Sequence, residues 1–449
     1  MIKDRTSRRW QSIWVVGIAI LLVSLPVMAL AAEEATLEKL GKKIIEGASV
    51  SDLIAYAYQV NPSIRAARQS WKGVIERYRV ETAYPDPELS SAYYPKPLMA
   101  EYEMMVSQTI PFPGKLSKAG EVVEAEIRMA RLELDRALRD VIVGIRESYY
   151  ELFYIKEAKK VVALNRDLLE HLGKVGETAY AQDRATFFDV VKGQSQLAQL
   201  QYDAVLLEDL EQTEKAQLNS LLNRPPTSEI KLLNGEPLPP VVYKLQEFYD
   251  LASKYQEEIR LAETQINKAR ARIGLAKYEY LPMFRLGASY ARGNPGMVSP
   301  EFRDAVGVQF GLSIPLWLDK NKGRLEEARA EAQKAEAMKV NQINNTNAQI
   351  RNLYFRLQNS ERLIRLYRDQ LLPQAARAME IAETWFREKQ GSFTDFIETQ
   401  SVYYNFQVSL ARAKADYGRY LAQLERLCGL SLTHKRDHGS AKSPQEGVR

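Results

Sequence analysis

The stretch GVQFGLSIPLWLDKNKGRLEEARAEAQKAEAMK, residues 307–339, joins a short strand pattern directly to a very long helix pattern. In residues 307–314, apolar side chains alternate with small or polar ones, which is the period of a β-strand. Pro315 ends the pattern because proline cannot donate a hydrogen bond to a sheet. From about Lys322 the composition turns to Ala, Glu, Arg and Lys and stays helical for roughly 65 residues, several times the usual helix length. The fold must therefore place a short strand at the end of a helix about 100 Å long.

The N-terminus has the features of a cleaved signal peptide. A basic segment, MIKDRTSRRW, precedes the apolar run WVVGIAILLVSLPVMAL, and Ala29-Leu30-Ala31 fits the pattern of a signal-peptidase site. We predict that residues 1–31 are removed; the alternative, a membrane anchor, is disfavoured because the run is short for a spanning helix and contains Pro26. These residues carry four basic side chains and one acidic one, so their removal lowers the net charge from +5 to +2. Such a charge does not indicate nucleic-acid binding.

Residues that carry chemistry are scarce in this chain. Cys428 is the only cysteine and there are three histidines, so neither a disulfide framework nor a cysteine- or histidine-rich metal site is predicted. His434 and His438 stand four residues apart, but they lie in a polar tail. The sequence shows no nucleophile paired with a base, no phosphate-binding loop and no cluster of carboxylates. We therefore predict no enzyme activity, no cofactor and no metal site.

The chain contains one structural plan twice. NPSIRAA at residue 61 matches EEIRLAE at 257, SQTIPFPGKL at 107 matches GLSIPLW at 311, IRESYY at 145 matches IRNLYF at 350, and TFFDVVKGQSQL at 186 matches FTDFIETQSVYY at 393. Self-similarity in a fixed order is the signature of a duplicated architecture. We predict a first repeat over residues 32–226, a proline-rich connector over 227–243, a second repeat over 244–430 and a disordered tail over 431–449.

Each repeat reads as helix, two strands, very long helix, turn, helix. The predicted helices are Val50–Thr82 with a break at Asn61-Pro62, Lys115–Thr178, Thr186–Asn223, Lys244–Tyr280, Lys322–Lys389 and Phe393–Gly429. The predicted strands are Glu88–Tyr94, Tyr102–Ile110, Met283–Arg292 and Asp304–Ile314.

The strand pattern indicates a sheet with one face in lipid. In the third strand, Phe284, Leu286 and Tyr290 share one face, and small or charged residues fill the other. This is expected where one side of a strand meets lipid and the other an aqueous lumen, although an ordinary half-buried sheet is the alternative. Four strands cannot close a barrel, because the smallest transmembrane barrels need about eight. The protein is therefore predicted to oligomerise.

The ordered motifs make the chain resemble the TolC-type outer-membrane efflux proteins over nearly all of its mature length. They are the duplicated plan, the Asn61-Pro62 pair, SQTIPFPGKL ending at Leu116, VGVQFGLSIPL ending at Leu316, and SFTDFIETQ from Ser392 to Gln400. The resemblance implies a mainly α protomer whose trimer forms a 12-stranded outer-membrane β-barrel continued by a periplasmic α-helical barrel. The SQTIPFPGK form is most similar to members that serve heavy-metal or drug exporters of the resistance-nodulation-division class.

The function implied by the resemblance is the exit duct of a tripartite efflux pump. The expected partners are two further copies of the chain, a periplasmic adaptor protein, an inner-membrane transporter and outer-membrane lipid. The alternatives are the outer-membrane component of a type I protein secretion system and a soluble periplasmic coiled-coil scaffold.

The resemblance also assigns three sets of residues. The barrel-to-tunnel joints would contain Pro111, Pro113, Gly114, Pro315 and Trp317, the last within a Trp317–Lys320 joint. The periplasmic tips that meet the adaptor would be Asp183, Arg184, Ala185, Thr186, Lys389, Gln390, Gly391 and Ser392. The pore constriction would contain Asp395 and Glu398, which stand at i and i+3 and so share one helix face. Phe386 and Gly391 depart from the family pattern of latch residues.

Overall fold

A computed structural model describes residues 36–95, 100–182, 185–233, 238–293, 304–388 and 390–432. The predicted signal peptide and residues 433–449 of the predicted tail lie outside these ranges. The helices are α1 (36–46), α2 (Val50–Val60), α3 (Pro62–Thr82), α4 (Lys115–Ala181), α5 (Phe187–Leu221), α6 (Leu245–Tyr255), α7 (Glu257–Lys277), α8 (Leu318–Leu366), α9 (Leu372–Arg387) and α10 (Phe393–Cys428). The strands are β1 (Glu88–Tyr93), β2 (Ala100–Ile110), β3 (Met283–Gly293) and β4 (Asp304–Ser313).

Helix boundaries in the first repeat follow local capping chemistry. The side chain of Asn61 accepts hydrogen bonds from the amides of Ser63 and Ile64, and Pro62 occupies the first helical position, where its missing N–H costs nothing. The predicted break between α2 and α3 is thereby confirmed. The long helix α4 has 67 residues, which corresponds to about 100 Å.

Three boundaries in the second repeat differ from the sequence expectation. The helix predicted from Lys244 is broken at Gln256, between α6 and α7. The helix predicted from Lys322 begins at Leu318, so Leu318, Asp319 and Lys320 belong to α8 and not to the joint. A single π-helical turn, Tyr367–Leu371, separates α8 from α9, where an unbroken helix was predicted.

In each repeat, two shorter helices stand end to end beside the long helix. The amide of Asn61 donates a 2.8 Å hydrogen bond to the carbonyl of Leu221, which joins the end of α5 to the start of α3. In the second repeat, Gly429 follows α10 and abuts the start of α7, where a Cβ built on it would lie 2.3 Å from the carbonyl oxygen of Tyr255. The two shorter helices of each repeat therefore form one rod beside the long helix.

The long helices α4 and α8 have different numbers of neighbours within the described residues. Helix α4 packs against α3 and α5 of its own repeat and against α7 and α10 of the other repeat. Helix α8 packs mainly against α7 and α10 of its own repeat, with α6 at the middle of the molecule. Helices α3 and α5, the two neighbours that duplication predicts for α8 from the other repeat, make at most marginal contact with it within the described ranges.

The four strands form one antiparallel sheet in the order β1-β2-β3-β4. Leu89, Val106, Ala288 and Val308 lie in one row across the sheet, and Glu88, Ser107, Gly287 and Gln309 lie in the next. Adjacent rows point to opposite faces, so apolar side chains line one face, and small or polar side chains line the other. The apolar face is open, with Leu89 68% and Val308 88% exposed.

We predict that Gly429→Ala destabilises the junction between α10 and α7 by about 3 kcal/mol. Gly429 has a φ of 71°, which alanine rarely adopts, and the backbone of Tyr255 leaves no room for a methyl group. Thermal unfolding of the purified protein measures the loss. Gly173→Ala in α4 is the control, because nothing lies within 4 Å of a Cβ at that position, and it should be neutral or slightly stabilising. Equal melting temperatures for the two variants would contradict the close packing of Gly429 against Tyr255.

Candidate functional site

The turns that precede α5 and α10 are built in the same way. Thr186 and Asp189 form a capping box at the start of α5, and Ser392 and Asp395 form one at the start of α10. In each box the hydroxyl accepts from the backbone of the aspartate, and the carboxylate accepts from the backbone of the hydroxyl residue. The predicted tip residues Thr186 and Ser392 are therefore helix caps.

Five of the eight predicted tip residues lie in the described part of the chain. The amides of Gln390 and Gly391 donate to the carbonyl of Trp385 at 2.8 and 3.2 Å, which turns the chain back after α9. Ala185 is half-buried beside Thr186. Asp183, Arg184 and Lys389 lie outside the described residues.

The two predicted constriction residues have different surroundings. Asp395 is exposed, and its carboxylate is engaged in the capping box. Glu398 is also exposed, but it pairs with the ammonium group of Lys192 in α5 at 2.5 Å. Sequence reasoning missed Lys192. A signal was present, because Lys192 and Glu398 occupy matched positions of the two repeats and have opposite charges.

Asp189 is the buried carboxylate of this region, with 8% of the residue exposed. The hydroxyl of Thr394 in α10 donates to it, in addition to the groups of Thr186. Burial alone would raise the pKa of Asp189, but the hydrogen bonds from Thr394 and Thr186 outweigh it and lower the pKa. Asp189 therefore links the tips of the two repeats as a carboxylate.

Phe393 packs α10 against both helices of the first repeat. It is 2% exposed, and a Cβ added to Gly176 in α4 or to Gly193 in α5 would lie 3.2 or 3.1 Å from its ring. The ring of Phe386 in α9 lies 5.3 Å away on the other side. Phe386 stands where the family often has a tyrosine that latches the entrance. In this chain the residue instead makes an aromatic contact with Phe393.

The residues predicted to form the barrel-to-tunnel joints lie in proline turns between strand and helix. In the first, Gly114 has a φ of 91° and precedes α4, and the amide of Lys115 donates to the carbonyl of Phe112. The ring of Phe112 lies 6.3 Å from that of Phe284, which ties the turn to the sheet. In the second, Pro315 leads to Trp317, which is 77% exposed and directly precedes α8. Pro111 and Pro113 flank Phe112 in the first turn.

The described ranges contain neither a cluster of metal ligands nor a reactive thiol. No group of three or more His, Cys, Asp or Glu side chains in these ranges is placed to hold a metal ion. Burial raises the pKa of the Cys428 thiol to about 12, so it is a packing residue. None of the described helices is both long and apolar enough to span a membrane.

Solved structures with the same fold come from outer membrane proteins. A crystal structure of the outer membrane protein VceC from Vibrio cholerae superposes with a TM-score of 0.71 at 18% identity, covering 87% of this chain and 98% of that one. The structure of CusC gives a TM-score of 0.73 at 14% identity, covering 86% of this chain and 94% of the other. The predicted fold class is confirmed: the protomer has the TolC-type fold, mostly helical with one small sheet.

A sequence profile for outer membrane efflux proteins matches residues 248–430. The pyoverdine export outer membrane protein OpmQ of Pseudomonas aeruginosa is 25% identical over 307 residues, which span 65% of this chain and 63% of that protein. OpmQ of Pseudomonas putida is 23% identical over 341 residues, which span 72% of this chain and 68% of that protein. The chain thus spans a little under two thirds of the first of these relatives. Residues 248–430 are thus similar to the outer membrane efflux proteins, as the sequence motifs indicated.

We predict that Asp189→Asn lowers the free energy of unfolding by about 1 kcal/mol at neutral pH. Because the pKa of Asp189 is lowered in the folded protein, its stabilising contribution is present above the usual aspartate value of about 4 and is lost as the pH falls through the lower folded value. The difference in melting temperature between wild type and variant should therefore shrink below about pH 4. Asp395→Asn, a cap at the matched position, is the comparison and should have the smaller effect. If the difference in melting temperature between wild type and Asp189→Asn did not change with pH, the ionised carboxylate of Asp189 would not be the stabilising group.

Proposed function

We propose that this chain is the outer-membrane exit duct of a tripartite efflux pump. The observation that carries the proposal is the four-stranded sheet, which has one exposed apolar face and continues directly into helices about 100 Å long. An apolar face of this kind suits lipid, and the small residues of the opposite face suit an aqueous lumen. The duct is a transport component and has no catalytic step.

Duplication explains how copies of the chain close into a ring. Within the described ranges, α4 packs against α5, α3, α10 and α7, whereas α8 packs mainly against α10 and α7. A second copy supplies the missing pair if its α5 and α3 pack on α8 and α9. This contact joins unlike surfaces head to tail, and such a contact closes into a ring when the rotation between neighbouring copies divides a full turn. The unpaired edges of β4 and β1 meet at the same contact, with the antiparallel direction that the sheet already has. Three copies give the twelve strands that the family plan requires.

The partners in this proposal are a periplasmic adaptor and an inner-membrane transporter. The tips, from Asp183 to Thr186 and from Lys389 to Ser392, would meet the adaptor. Asp395 and Glu398 would ring the entrance, once from each of the three copies. The names of the two OpmQ relatives, which describe pyoverdine export, support an export role over a scaffold role.

A matched pair of charge substitutions tests the membrane placement of the sheet. Val308→Arg puts a cation on the apolar face and should reduce outer-membrane insertion, because arginine facing lipid costs about 2–4 kcal/mol at the bilayer centre. Gln309→Arg puts the same charge on the opposite face and should insert and assemble normally. Membrane fractionation, with gel mobility of unboiled and boiled samples, gives the readout. Soluble monomer for the unmodified protein, or equal insertion of both variants, would refute the proposal.

The charged residues at the entrance should set the ion selectivity of the channel. The Lys192–Glu398 ion pair should reduce the preference for cations, because it neutralises one carboxylate of the ring. A ring of carboxylates in a constriction attracts cations. We predict that Lys192→Gln raises the cation selectivity of the channel, because it leaves Glu398 without its partner, whereas Asp395→Asn lowers it. Reversal potentials in a planar bilayer under a salt gradient measure both effects. The two substitutions should shift the potential with opposite signs. An unchanged potential in both would place the constriction elsewhere.

A further inference from the structure

A cavity of about 510 Å³ lies between helices α4, α8 and α10 and the connector of residues 227–243. Its volume is within the range of about 300–1,000 Å³ that pockets for small organic ligands have. Four aromatic side chains line it: Tyr149, Tyr150 and Phe153 of α4 and Tyr417 of α10. All of the lining residues belong to one chain, so the cavity does not depend on the proposed ring of copies.

Close contacts hold the walls of the cavity in place. The hydroxyl of Tyr417 donates to the carbonyl of Pro239 at 2.7 Å, which fixes the connector against α10. The ring of Tyr150 lies directly against Gly418 of α10, where an added Cβ would be 2.5 Å from the ring atoms. A cavity with walls fixed in this way is preformed, so a ligand would enter it without a rearrangement of the chain.

Three cations line the cavity, and they differ in their partners. The guanidinium group of Arg365 pairs with Glu361, one turn earlier in α8, at 3.4 Å. Arg368 pairs with the neighbouring Asp369 at 2.6 Å. Lys414 of α10 is half-buried, and no carboxylate of the described ranges pairs with its ammonium group. The cavity therefore contains one cation whose charge no described residue balances.

Ion pairs occupy the corresponding place in the first repeat. The ammonium group of Lys159 in α4 donates to the carboxylates of Glu208 and Glu211 in α5, the latter at 2.6 Å. One cation on the long helix thus faces two anions on the helix beside it. If the second repeat kept this plan, a cation of α8 would face two carboxylates of α10.

The second repeat has none of these three charges at the matching positions. The IRESYY and IRNLYF motifs are 205 residues apart, so Ile364 of α8 is the counterpart of Lys159. The capping boxes are 206 residues apart, so Lys414 and Tyr417 of α10 are the counterparts of the two glutamates. All three counterparts line the cavity. Where the first repeat has two anions, the second has a cation and a phenol, and a half-buried cation without an anion is unfavourable.

We propose that this cavity is a binding site for a small aromatic monoanion. The anionic group, a carboxylate or a sulfonate, pairs with the ammonium group of Lys414. The aromatic ring of the ligand packs among Tyr150, Phe153 and Tyr417. Arg365 and Arg368 keep their own carboxylates, so the cavity lacks one negative charge and not three. The charge favours the anion over its neutral analogue, and the aromatic walls favour it over an inorganic ion.

Equilibrium dialysis of the full chain in a nonionic detergent tests this proposal. The probes are 2-naphthoate, its neutral analogue 2-naphthamide and inorganic phosphate, and detergent without protein gives the background. We expect saturable binding of one 2-naphthoate per chain and binding of 2-naphthamide that is weaker by about tenfold or more, because the amide cannot form the charge-assisted hydrogen bond. Equal binding of the amide, or displacement of 2-naphthoate by an equal concentration of phosphate, would overturn the proposal.

Substitutions at the cavity test the role of Lys414. Lys414→Gln removes the cation and should weaken the binding of 2-naphthoate about tenfold. Ile364→Lys with Lys414→Glu rebuilds an ion pair of the first repeat inside the cavity and should abolish binding. Lys334→Gln, which replaces an exposed lysine of α8, is the matched control and should bind like the unmodified protein. Unchanged affinity in Lys414→Gln, with a normal melting temperature, would show that the cation does not bind the ligand.

Protection of Lys414 from acetylation keeps the proposal testable if a variant fails to fold. Acetic anhydride is applied to the unmodified protein, and mass spectrometry follows each lysine. At about ten times its Kd, 2-naphthoate should slow the acetylation of Lys414 about tenfold and leave that of Lys334 unchanged. Equal rates at Lys414 with and without 2-naphthoate would overturn the proposal.

These measurements separate the cavity from the proposed function. A chain that binds 2-naphthoate but remains a soluble monomer would refute the exit duct and leave the binding site standing. A chain that inserts and assembles but shows no saturable binding of 2-naphthoate would overturn the binding site alone.

Discussion

The structure depends on two junctions at which one helix ends against the start of another. Arg426, in the last turn of α10, bridges Asp140 of α4 and Glu258 in the first turn of α7, at 2.6 and 2.8 Å. A cation near a helix C-terminus and an anion near a helix N-terminus are both favourable to the helix dipoles, so the bridge stabilises both ends at once. At the other junction, the Asn61 amide uses a carbonyl at the end of α5 that has no partner within its own helix. A pair of short helices thereby becomes one continuous rod beside each long helix.

These junctions allow a wall that is one helix thick. No side of such a wall has a deep core, so contacts between neighbouring helices combine narrow apolar stripes with half-buried ion pairs. Glu151 of α4 accepts from both Arg412 and Arg419 of α10 at 2.7 and 2.9 Å. Glu257, with 4% of the residue exposed, accepts from Arg139 at 2.7 Å. Such pairs fix the relative height of the helices, because removing either partner leaves a buried charge unpaired.

The features that were predictable from sequence are those with a local chemical cause. The Asn61-Pro62 break and the capping residues Thr186 and Ser392 are encoded within a few positions, and the strands alternate strictly. The break at Gln256 was missed because glutamine is not a typical cap; its side chain instead accepts from Thr346 of α8 at 2.8 Å, a contact made only in the tertiary fold. The start of α8 at Leu318 was missed because Trp317 makes no side-chain cap. The Lys192–Glu398 pair joins residues 206 apart and needs the folded hairpins to form.

The π-helical turn shows how a duplicated chain tolerates a difference between its copies. The IRESYY and IRNLYF motifs are 205 residues apart, whereas the two capping boxes are 206 apart, so the second copy contains one extra residue between these points. A π-helical turn absorbs one additional residue within a helix without ending it. The turn at Tyr367–Leu371 lies in the interval where the spacing changes. The insertion therefore leaves α8 and α9 acting as one rod, and it restores the register of the tip, where the two capping boxes must stand at the same height.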